Sequence, residues 1–331
     1  MKINIRLLLI LVLSINMSAS AAKPLPKLQV EGKNIVNQKG EVVRLRGVSF
    51  SDPDKLERNG QWNKAYFQEA KNWGCNVVRF AVHPTALNNR GWDAYFGLMD
   101  KGIKWAEELE MYVIIDWHSI GNLNTEKFTN KMYNTTWIET VKFWQTTAKR
   151  YKGNTTVTVY ELFNEPTSAG ESLGELTWST WKPTLEKLID EIFPIDDEKI
   201  ILVAGMNWGY FLDEVPDNPV NRKNVAYCSH PYPQKREKPW EEKWENDWGK
   251  VADKYPIIAT EFGFMGADER GAHIPCISDE SYGEAIINYF DKKGISYTVW
   301  CFDPNWPPTL ITDWNFTPSR QGKFFKEVLQ R

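Results

Sequence analysis

Apolar, β-branched segments recur along the chain at intervals of roughly 25–45 residues, the spacing of strand–helix repeats. Each segment is almost continuously hydrophobic, which is typical of parallel strands that are buried on both faces. We interpret eight of them as strands, at Val43–Ser49, Asn76–Val82, Tyr112–Trp117, Thr156–Phe163, Lys199–Gly205, Val225–His230, Pro256–Phe262 and Ser296–Phe302.

Helical patterns separate these segments, for example at Trp92–Glu110, Thr136–Tyr151, Trp178–Phe193 and Ser281–Lys293. Gly294 follows the last of these helices and is expected to be its C-cap. Eight strands that alternate with helices predict an α/β fold, a (β/α)8 TIM barrel. Before the first barrel strand, Leu28–Asn37 is predicted to form a small hairpin with a Gln38-Lys39-Gly40 turn, which closes the bottom of the barrel.

The first residues have the pattern of a secretory signal peptide. Lys2 and Arg6 are positive, Leu7–Ile15 is apolar, and Ala19-Ser20-Ala21 provides a cleavage site of small residues. The apolar run is too short to span a bilayer, and no later segment is long and apolar enough to do so. We expect residues 1–21 to be removed and the protein to be secreted, into the periplasm or the medium, without a membrane anchor. Residues 22–331 are expected to form one domain.

The composition narrows the possible partners. The formal net charge is −3, and loss of Lys2 and Arg6 with the leader leaves −5. This mild acidity gives no reason to expect nucleic acid as a partner. The chain has 16 tryptophans, and such a surplus favours a groove lined with rings that stack on flat apolar sugar faces.

The four cysteines do not have the spacing of a zinc site. A disulfide between Cys276 and Cys301 is our first expectation for a secreted protein, since both should lie near the ends of the last two strands. The alternative is that Cys75, Cys228, Cys276 and Cys301 are all small buried apolar residues. No cluster of residues predicts a metal, although a structural calcium ion stays open because loop carbonyls leave no readable spacing.

Polar and aromatic residues gather at the carboxyl ends of the predicted strands. In a barrel these ends meet on one face, from which the catalytic loops emerge. In the segment Tyr160–Pro166 (YELFNEP), Glu165 lies where an apolar strand runs into a turn, and Glu261 has the same kind of position in Ile257–Phe264 (IIATEFGF). Two carboxyl groups on different strands are what the hydrolysis of a glycosidic bond requires. The full set at the strand ends is Arg79, His83, His118, Asn164, Glu165, Asn207, Trp208, His230, Tyr232, Glu261 and Trp300.

The ordered set resembles the family 5 glycoside hydrolases, a branch of the (β/α)8 retaining glycosidases. The family's eight characteristic positions are matched, in chain order, by Arg79, His118, Asn164, Glu165, His230, Tyr232, Glu261 and Trp300. The resemblance covers essentially the whole chain after the leader. It implies one catalytic domain at residues 22–331 and no cofactor.

The resemblance also implies roles for the matched residues. Glu165 would be the acid/base and Glu261 the nucleophile, with the two carboxyl groups about 5 Å apart. Arg79 and Tyr232 would donate hydrogen bonds to Glu261. The remaining roles are a hydrogen bond from Asn164 to the sugar 2-hydroxyl, support of Glu165 by His230, contact with the sugar or its neighbours by His118, and stacking on the non-reducing side by Trp300.

Further sugar units are expected to contact residues at or just beyond the strand ends. We predict this for Trp117, Asn207, Trp208, Phe264 and Trp306; ordinary packing is the alternative for each of the aromatic residues. The series Trp240, Trp244, Trp248 repeats every four residues and therefore predicts packing along one helix face. The role of His83 stays open.

We predict a secreted, retaining endo-β-1,4-glucanase that acts on cellulose-type or mixed-linkage β-glucan. A β-mannanase is the nearest alternative, because the same eight residues serve both substrates. A non-catalytic carbohydrate-binding barrel is the alternative from another class, but a binder does not need the carboxylate pair. Exo action stays open, since Gly121–Tyr133 or Trp306-Pro307-Pro308 could block one end of the cleft. The expected partner is a polysaccharide, bound by a monomer.

Overall fold

The fold consists of a parallel barrel and a small hairpin, seen in a computed structural model that describes residues 24–331. The predicted signal peptide lies outside the described residues. In chain order the strands are β1 (Leu28–Glu31), β2 (Asn34–Asn37), β3 (Arg46–Phe50), β4 (Val77–Val82), β5 (Tyr112–Trp117), β6 (Ile120–Asn122), β7 (Lys127–Phe128), β8 (Val157–Glu161), β9 (Glu165–Pro166), β10 (Ile200–Ala204), β11 (Val225–Cys228), β12 (Ile258–Ala259) and β13 (Ser296–Val299).

Eight of these strands form the barrel predicted from the sequence. They are hydrogen-bonded in the order β11-β10-β8-β5-β4-β3-β13-β12, all in parallel. A parallel bridge between Tyr227 of β11 and Ile257, next to β12, joins the two ends of the sheet. The (β/α)8 prediction is confirmed. Each of the eight predicted strands is present, although β12 keeps only two residues with regular pairing.

Helices connect the strands on the outside of the barrel. They are α1 (Pro53–Arg58), α2 (Lys64–Asn72), α3 (Pro84–Arg90), α4 (Trp92–Glu108), α5 (Trp137–Tyr151), α6 (Trp178–Ile192), the single turn α7 (Met206–Gly209), α8 (Glu241–Asp247), α9 (Glu280–Lys293) and α10 (Arg320–Leu329). Short 3₁₀ turns occur at Lys131–Tyr133, Pro233–Lys235 and Gly249–Asp253. Gly294 caps α9 in the left-handed conformation, as predicted. Among residues 24–331, no helix combines the length and the apolar character that crossing a membrane requires.

Side chains alternate between the inside and the outside of the barrel, because successive residues of a strand point to opposite faces. On β5, Tyr112 and Ile114 belong to the cluster inside the barrel, while Val113 and Ile115 pack under the helices. This alternation decides which residues near the carboxyl ends of the strands reach the site.

The hairpin closes the barrel at the amino ends of the strands. Leu28 of β1 and Ile35 of β2 join the apolar cluster inside the barrel. The hairpin itself turns at Gly32-Lys33, between β1 and β2. The predicted turn at residues 38–40 is a second one, which folds the chain back so that Val42 forms an antiparallel bridge with Val36 of β2. The predicted closure is confirmed, and the position of the hairpin turn is corrected.

The predicted disulfide is wrong, because all four cysteines are buried free thiols. Cys276 and Cys301 do lie in one apolar cluster with Trp300 and Tyr232. Burial raises the pKa of both thiols, which keeps them in the protonated form that does not exchange disulfides. A core of this size does not depend on a cross-link.

The tryptophan series after β11 packs as predicted. Trp244 and Trp248 are almost fully buried. Trp244 lies against Tyr282 and Tyr289, and Trp248 lies edge-on to Tyr289 of the same helix, α9. These rings therefore attach α8 to α9 and do not face a sugar.

Candidate active site

Glu165 and Glu261 face each other across the carboxyl end of the barrel. Glu165 lies in β9, which pairs with β6 just above the barrel rim, and Glu261 follows β12. One oxygen of each carboxylate and a ring nitrogen of His230 all lie within 4.8 Å of one another. Both glutamates are largely buried, with exposed fractions of 9% for Glu165 and 5% for Glu261. The separation is close to the expected value of about 5 Å.

Two donors hold the carboxylate of Glu261. Arg79 Nη1 donates to Oε1 at 3.0 Å, and the hydroxyl of Tyr232 donates to Oε2 at 3.2 Å. Burial raises the pKa of Glu261, whereas His230 and Arg79 act in the opposite direction. Burial also raises the pKa of Tyr232 well above its usual value, and the charge of Glu261 adds to this, so the phenol keeps its proton. These are the contacts that the sequence analysis expects.

Arg79 is fully buried and binds more acidic groups than the sequence analysis anticipates. Its Nε and Nη2 donate to the two oxygens of Glu161 at 2.7 and 3.0 Å. Nη2 also lies 2.9 Å from Asp116 Oδ2. Glu161 and Asp116 were missed because they stand inside strands, below the carboxyl ends. A charged residue within a run such as VTVYELF or YVIIDWH is itself a signal, since a buried charge needs a partner.

Asn164 is fully buried and has one free hydrogen-bonding group. Its Oδ1 accepts a hydrogen bond from Arg79 Nη2 at 2.6 Å. This contact fixes the orientation of the amide, and Nδ2 finds no partner among residues 24–331. A buried donor without a partner is costly, so Nδ2 is suited to a hydroxyl group of a bound ligand.

His230 connects Glu165 to the interior of the barrel through Thr260, a residue that the sequence analysis missed. His230 Nδ1 lies 2.9 Å from Glu165 Oε1, and Nε2 lies 3.0 Å from Thr260 Oγ1. Thr260 donates its proton to Glu161 at 2.7 Å and therefore accepts one from Nε2. Burial opposes the charged imidazole, but neighbouring acidic groups, including Glu261 and Glu165, raise the pKa of His230 well above its usual value. A proton is thus held between His230 Nδ1 and Glu165.

His118 and Trp300 form one wall of the site. Their rings are parallel, with an interplanar angle of 1° and centroids 5.4 Å apart. His118 Nδ1 lies 2.6 Å from Asp116 Oδ2. Burial lowers the pKa of His118 well below its usual value, and the charge of Arg79 adds to this effect, so the ring is neutral. Trp300 is 7% exposed and borders the cleft.

The cleft between these residues has a volume of about 580 Å³. We call it the catalytic cleft, and its lining includes His118, Tyr133, Glu165, Trp208, Lys235, Glu261 and Trp300. Asn207 and Trp208 line it as predicted, on α7, where both have left-handed backbone angles with φ of 55° and 58°. Lys235, which the sequence analysis missed, donates to the Asn207 carbonyl at 3.2 Å and lies 5.4 Å over the Trp208 ring. Burial lowers the pKa of Lys235.

Trp306 extends the wall that Trp300 begins. The two rings lie 5.9 Å apart with an interplanar angle of 20°. Trp306 is half-buried and also lines a second cavity, of about 520 Å³, together with His83. The structure therefore places Trp306 beside the catalytic cleft, in a position open to a ligand.

The prediction that Trp117 contacts sugar is wrong. Trp117 is fully buried, stacks on Phe143 of α5 at 4.2 Å and donates to the Thr140 hydroxyl. The reason is the alternation along β5, which places Trp117 on the same outer face as Ile115. The same prediction for Phe264 is also wrong, because Phe264 is fully buried.

Within residues 24–331, two groups of acidic residues, cysteine and histidine are close enough to hold a metal ion, but both already have other partners. Glu161, Cys228 and His230 form one group, and Glu165, His230 and Glu261 form the other. Glu161 is bound by Arg79 and Thr260, and Glu261 is bound by Arg79 and Tyr232. The hydrogen-bonded arrangement accounts for these side chains without an ion.

Comparison with known proteins agrees with this geometry. The family model described as Cellulase (glycosyl hydrolase family 5) matches residues 36–306. The chain belongs to glycosyl hydrolase family 5. The crystal structure of a β-glucanase from Saccharophagus degradans superposes with a TM-score of 0.92 and 47% identity, over 93% of this chain and 94% of that one. The same β-glucanase, in complex with cellotetraose, matches at 46% identity and the same coverage.

Curated proteins of lower identity to this chain are named as endoglucanases. Endoglucanase A of Butyrivibrio fibrisolvens is 26% identical over 74% of this chain, and an endoglucanase of Clostridium saccharobutylicum is 28% identical over 83%. The matched parts amount to 54% and 56% of the length of these two relatives. The chain thus spans little more than half of the curated relatives that it matches.

Proposed function

We propose that the protein is a secreted, retaining endo-β-1,4-glucanase that hydrolyses β-glucan by double displacement. The observation that carries this proposal is the distance between Glu165 and Glu261, whose nearest oxygens lie within 4.8 Å. Retaining glycosidases have carboxyl groups about 5–5.5 Å apart, whereas inverting ones leave about 6.5–9.5 Å for a water molecule. Secretion rests on the leader at residues 1–21, which precedes the described part of the chain.

In the first step Glu261 attacks the anomeric carbon of the sugar. The bond from that carbon to the leaving oxygen breaks, and Glu165 gives its proton to this oxygen. Arg79 and Tyr232 keep Glu261 ionised and oriented for the attack. The hydrogen bond from His230 Nδ1 to Glu165 Oε1 fixes the position of the acid.

In the second step water displaces Glu261 from the anomeric carbon. Once Glu261 is an ester it carries no charge, which makes proton uptake by Glu165 less favourable and the ionised form more stable. Glu165 then takes a proton from water, whose oxygen attacks the anomeric carbon and releases Glu261. Nδ2 of Asn164, which has no partner among residues 24–331, would donate to the 2-hydroxyl, and the neutral ring of His118 leaves a nitrogen for the sugar.

A glucan is favoured as the substrate by the similar proteins. The β-glucanase of Saccharophagus degradans shares 46% of its residues with this chain in the cellotetraose complex, over 93% of this chain. The curated relatives are endoglucanases. Trp300 and Trp208 line the cleft that holds the carboxylate pair, and Trp306 lies beside Trp300, so the cleft offers the apolar faces that a β-linked chain of flat sugar rings requires.

The proposal is tested by incubating the purified protein with carboxymethylcellulose, barley β-glucan, mannan and xyloglucan. We expect reducing ends to appear with the first two polymers, together with an early fall in viscosity from internal cleavage. Glu261→Gln, which keeps the shape of the side chain but removes the nucleophile, should lose activity by at least about 10⁴-fold. Release of mannan oligomers as the main product would contradict the glucanase assignment, and full activity of Glu261→Gln would contradict the mechanism.

A further inference from the structure

Thr260 is a buried threonine one residue before Glu261, and its hydroxyl group lies between three polar side chains. The residue is fully buried inside the barrel. Its Oγ1 lies 2.7 Å from Glu161 Oε1, 3.0 Å from His230 Nε2 and 2.9 Å from Cys228 Sγ. A hydroxyl group has one proton to donate, so Thr260 donates to one of these neighbours and accepts from the others.

The direction of these hydrogen bonds follows from the charge of Glu161. Arg79 donates to both oxygens of Glu161, at 2.7 and 3.0 Å, so this side chain is a carboxylate that only accepts. Thr260 therefore gives its proton to Glu161. Its oxygen is left to accept from His230, which must carry a proton on Nε2 to donate, and from the thiol of Cys228.

The backbones of Thr260 and His230 are held in place as well. The carbonyl of Thr260 accepts from the Ser49 hydroxyl at 3.0 Å and from the Thr298 hydroxyl at 2.8 Å. The backbone N–H of His230 donates to the Gly209 carbonyl at 2.8 Å. These buried hydrogen bonds are costly to break, so the hydroxyl group and the imidazole stay at this separation.

The other ring nitrogen of His230 faces the proposed acid/base. Nδ1 lies 2.9 Å from Glu165 Oε1. Because Nε2 keeps its proton, Nδ1 is the ring atom that exchanges one. If Nδ1 loses its proton while Glu165 is ionised, a lone pair faces a carboxylate with no hydrogen atom between them. This state is unfavourable, so His230 and Glu165 retain one shared proton.

We propose that Thr260 and Glu161 are positioning residues of the acid/base, which fix a proton on Nε2 of His230 and thereby keep a second proton between Nδ1 and Glu165. Without the Thr260 hydroxyl group, a neutral imidazole is free to carry its only proton on Nδ1 and to donate it to ionised Glu165. The shared proton is then lost at a lower pH. This proposal rests on the proposed function, which assigns the acid/base role to Glu165.

Other titratable groups surround this pair on several strands. Around His230 lie Asp116 and His118 at the end of β5, Glu161 of β8, Cys228 of β11 and Glu261 after β12. Around Glu165 lie Tyr133, Tyr232, Lys235, Glu261 and Cys276. Substitutions of Thr260 by uncharged residues leave all of these groups in the chain, so a change in the pH profile reports on the hydroxyl group.

The first test measures kcat/KM on barley β-glucan against pH in the unchanged protein, Thr260→Val and Thr260→Ser. Valine keeps the shape of threonine without the hydroxyl group, and serine keeps the hydroxyl group. We expect the alkaline limb of Thr260→Val to lie about one pH unit lower, because the imidazolium loses a hydrogen bond. This shift is about a tenfold loss of activity at a pH above both limbs. Thr260→Ser should keep the limb of the unchanged protein.

Thr140→Val is the matched control. Thr140 is also fully buried, and its hydroxyl group accepts a hydrogen bond from a ring nitrogen, Trp117 Nε1, at 3.2 Å. This contact lies on the outer face of β5, under α5, so the alkaline limb should stay in place. An unmoved limb in Thr260→Val, or an equal shift in Thr260→Val and Thr140→Val, would overturn the proposal.

The second test follows the ring protons directly and does not depend on activity. The chain has four histidines, and two-dimensional ¹H–¹⁵N NMR with His230→Gln for assignment identifies the ring signals of His230. On titration to alkaline pH, Nε2 should keep its proton in the unchanged protein and in Thr260→Ser, whereas Nδ1 should keep it in Thr260→Val.

A last proton on Nδ1 in the unchanged protein would contradict the proposal. Absence of β-glucan hydrolysis by the unchanged protein would instead overturn the proposed function, while the NMR titration still decides where the proton lies.

Discussion

Arg79 forms ion pairs with three acidic residues of the site. It is fully buried and contacts Glu161, Asp116 and Glu261, while Asn164 accepts from the same guanidinium. Removal of a buried ion-pair partner leaves charges without compensation and is strongly destabilising. Substitution of Arg79 would therefore report on folding as much as on catalysis. The hydroxyl of Tyr232 is a more selective probe of the same carboxylate.

Tyr232→Phe removes one hydrogen bond to Glu261 and little else. A hydrogen bond to a charged group contributes about 1.5–3 kcal/mol, so we expect kcat/KM to fall about 10- to 100-fold. The lost donor stabilised the ionised form of Glu261, so the pKa of Glu261 rises. Because the nucleophile must be ionised, activity is lost on acidification at a higher pH, and the acidic limb of the pH profile moves up by about one unit.

Tyr151→Phe is the matched control for this prediction. Its hydroxyl donates to Asp100 at 3.0 Å, also a carboxylate, on the outer surface of the barrel. The control should keep the position of the acidic limb. A limb that stays in place in Tyr232→Phe, or that moves equally in both variants, would refute the role of Tyr232.

At the scale of elements, the turn α7 connects Trp208, which lines the cleft, to His230, which binds the proposed acid Glu165. Asn207, Trp208 and Gly209 have three consecutive positive φ values of 55°, 58° and 65°. The left-handed conformation costs roughly 1–2 kcal/mol for each residue with a side chain. Lys235 binds the Asn207 carbonyl, and the His230 N–H donates to the Gly209 carbonyl at 2.8 Å. These contacts hold the turn against the strain.

Gly209→Ala is predicted to reduce activity through His230. A Cβ atom at Gly209 would lie 2.9 Å from His230 Nδ1, the atom that binds Glu165, so the imidazole must move. We expect kcat to fall at least tenfold, measured on barley β-glucan.

Gly153→Ala separates this effect from backbone strain. Gly153 has a similar φ of 74°, but a Cβ there meets nothing within 4 Å. Gly153→Ala should lose thermal stability because alanine is strained at this positive φ, and it should keep the kcat of the unchanged protein. Equal kcat in the two variants would contradict the proposed coupling between α7 and Glu165.

The strand pattern explains what the sequence predicts well and what it does not. Apolar runs locate all eight strands and bring Glu165 and Glu261 together, because the carboxyl ends of barrel strands converge. The prediction for Trp117 is wrong because nearness to the strand end does not decide which face of the strand a side chain occupies. The same alternation places Asp116 inside the barrel, where it meets Arg79. This alternation along β5 assigns Asp116 to the inside and Trp117 to the outside of the barrel from the sequence alone.

Contacts between distant strands could not be predicted in this way. Thr260 links His230 to Glu161 only because three barrel strands approach within hydrogen-bond distance. Likewise, the free cysteines and the left-handed turn at α7 depend on packing around them, which no local pattern encodes. The sequence also does not show that Nδ2 of Asn164 has no partner among residues 24–331, because this depends on which groups surround the amide in the fold.

For the whole molecule, the barrel acts as a scaffold that fixes the distance between two carboxylates. Glu165 reaches the site from a short strand outside the barrel, β9, and Glu261 from the end of β12. Both are oriented by side chains that come from other strands, His230 for Glu165 and Arg79 for Glu261. In the proposed mechanism this separation leaves no room for a water molecule between Glu261 and the sugar, so the account predicts retention of the anomeric configuration.

The most direct test of this account is the configuration of the product that is first released. Proton NMR of the anomeric signals, recorded during early hydrolysis of cellotetraose and before mutarotation, distinguishes the two outcomes. Retention predicts that the β-anomer appears first and that the α-anomer follows only by mutarotation. Initial appearance of the α-anomer would show inversion and would contradict the covalent role of Glu261.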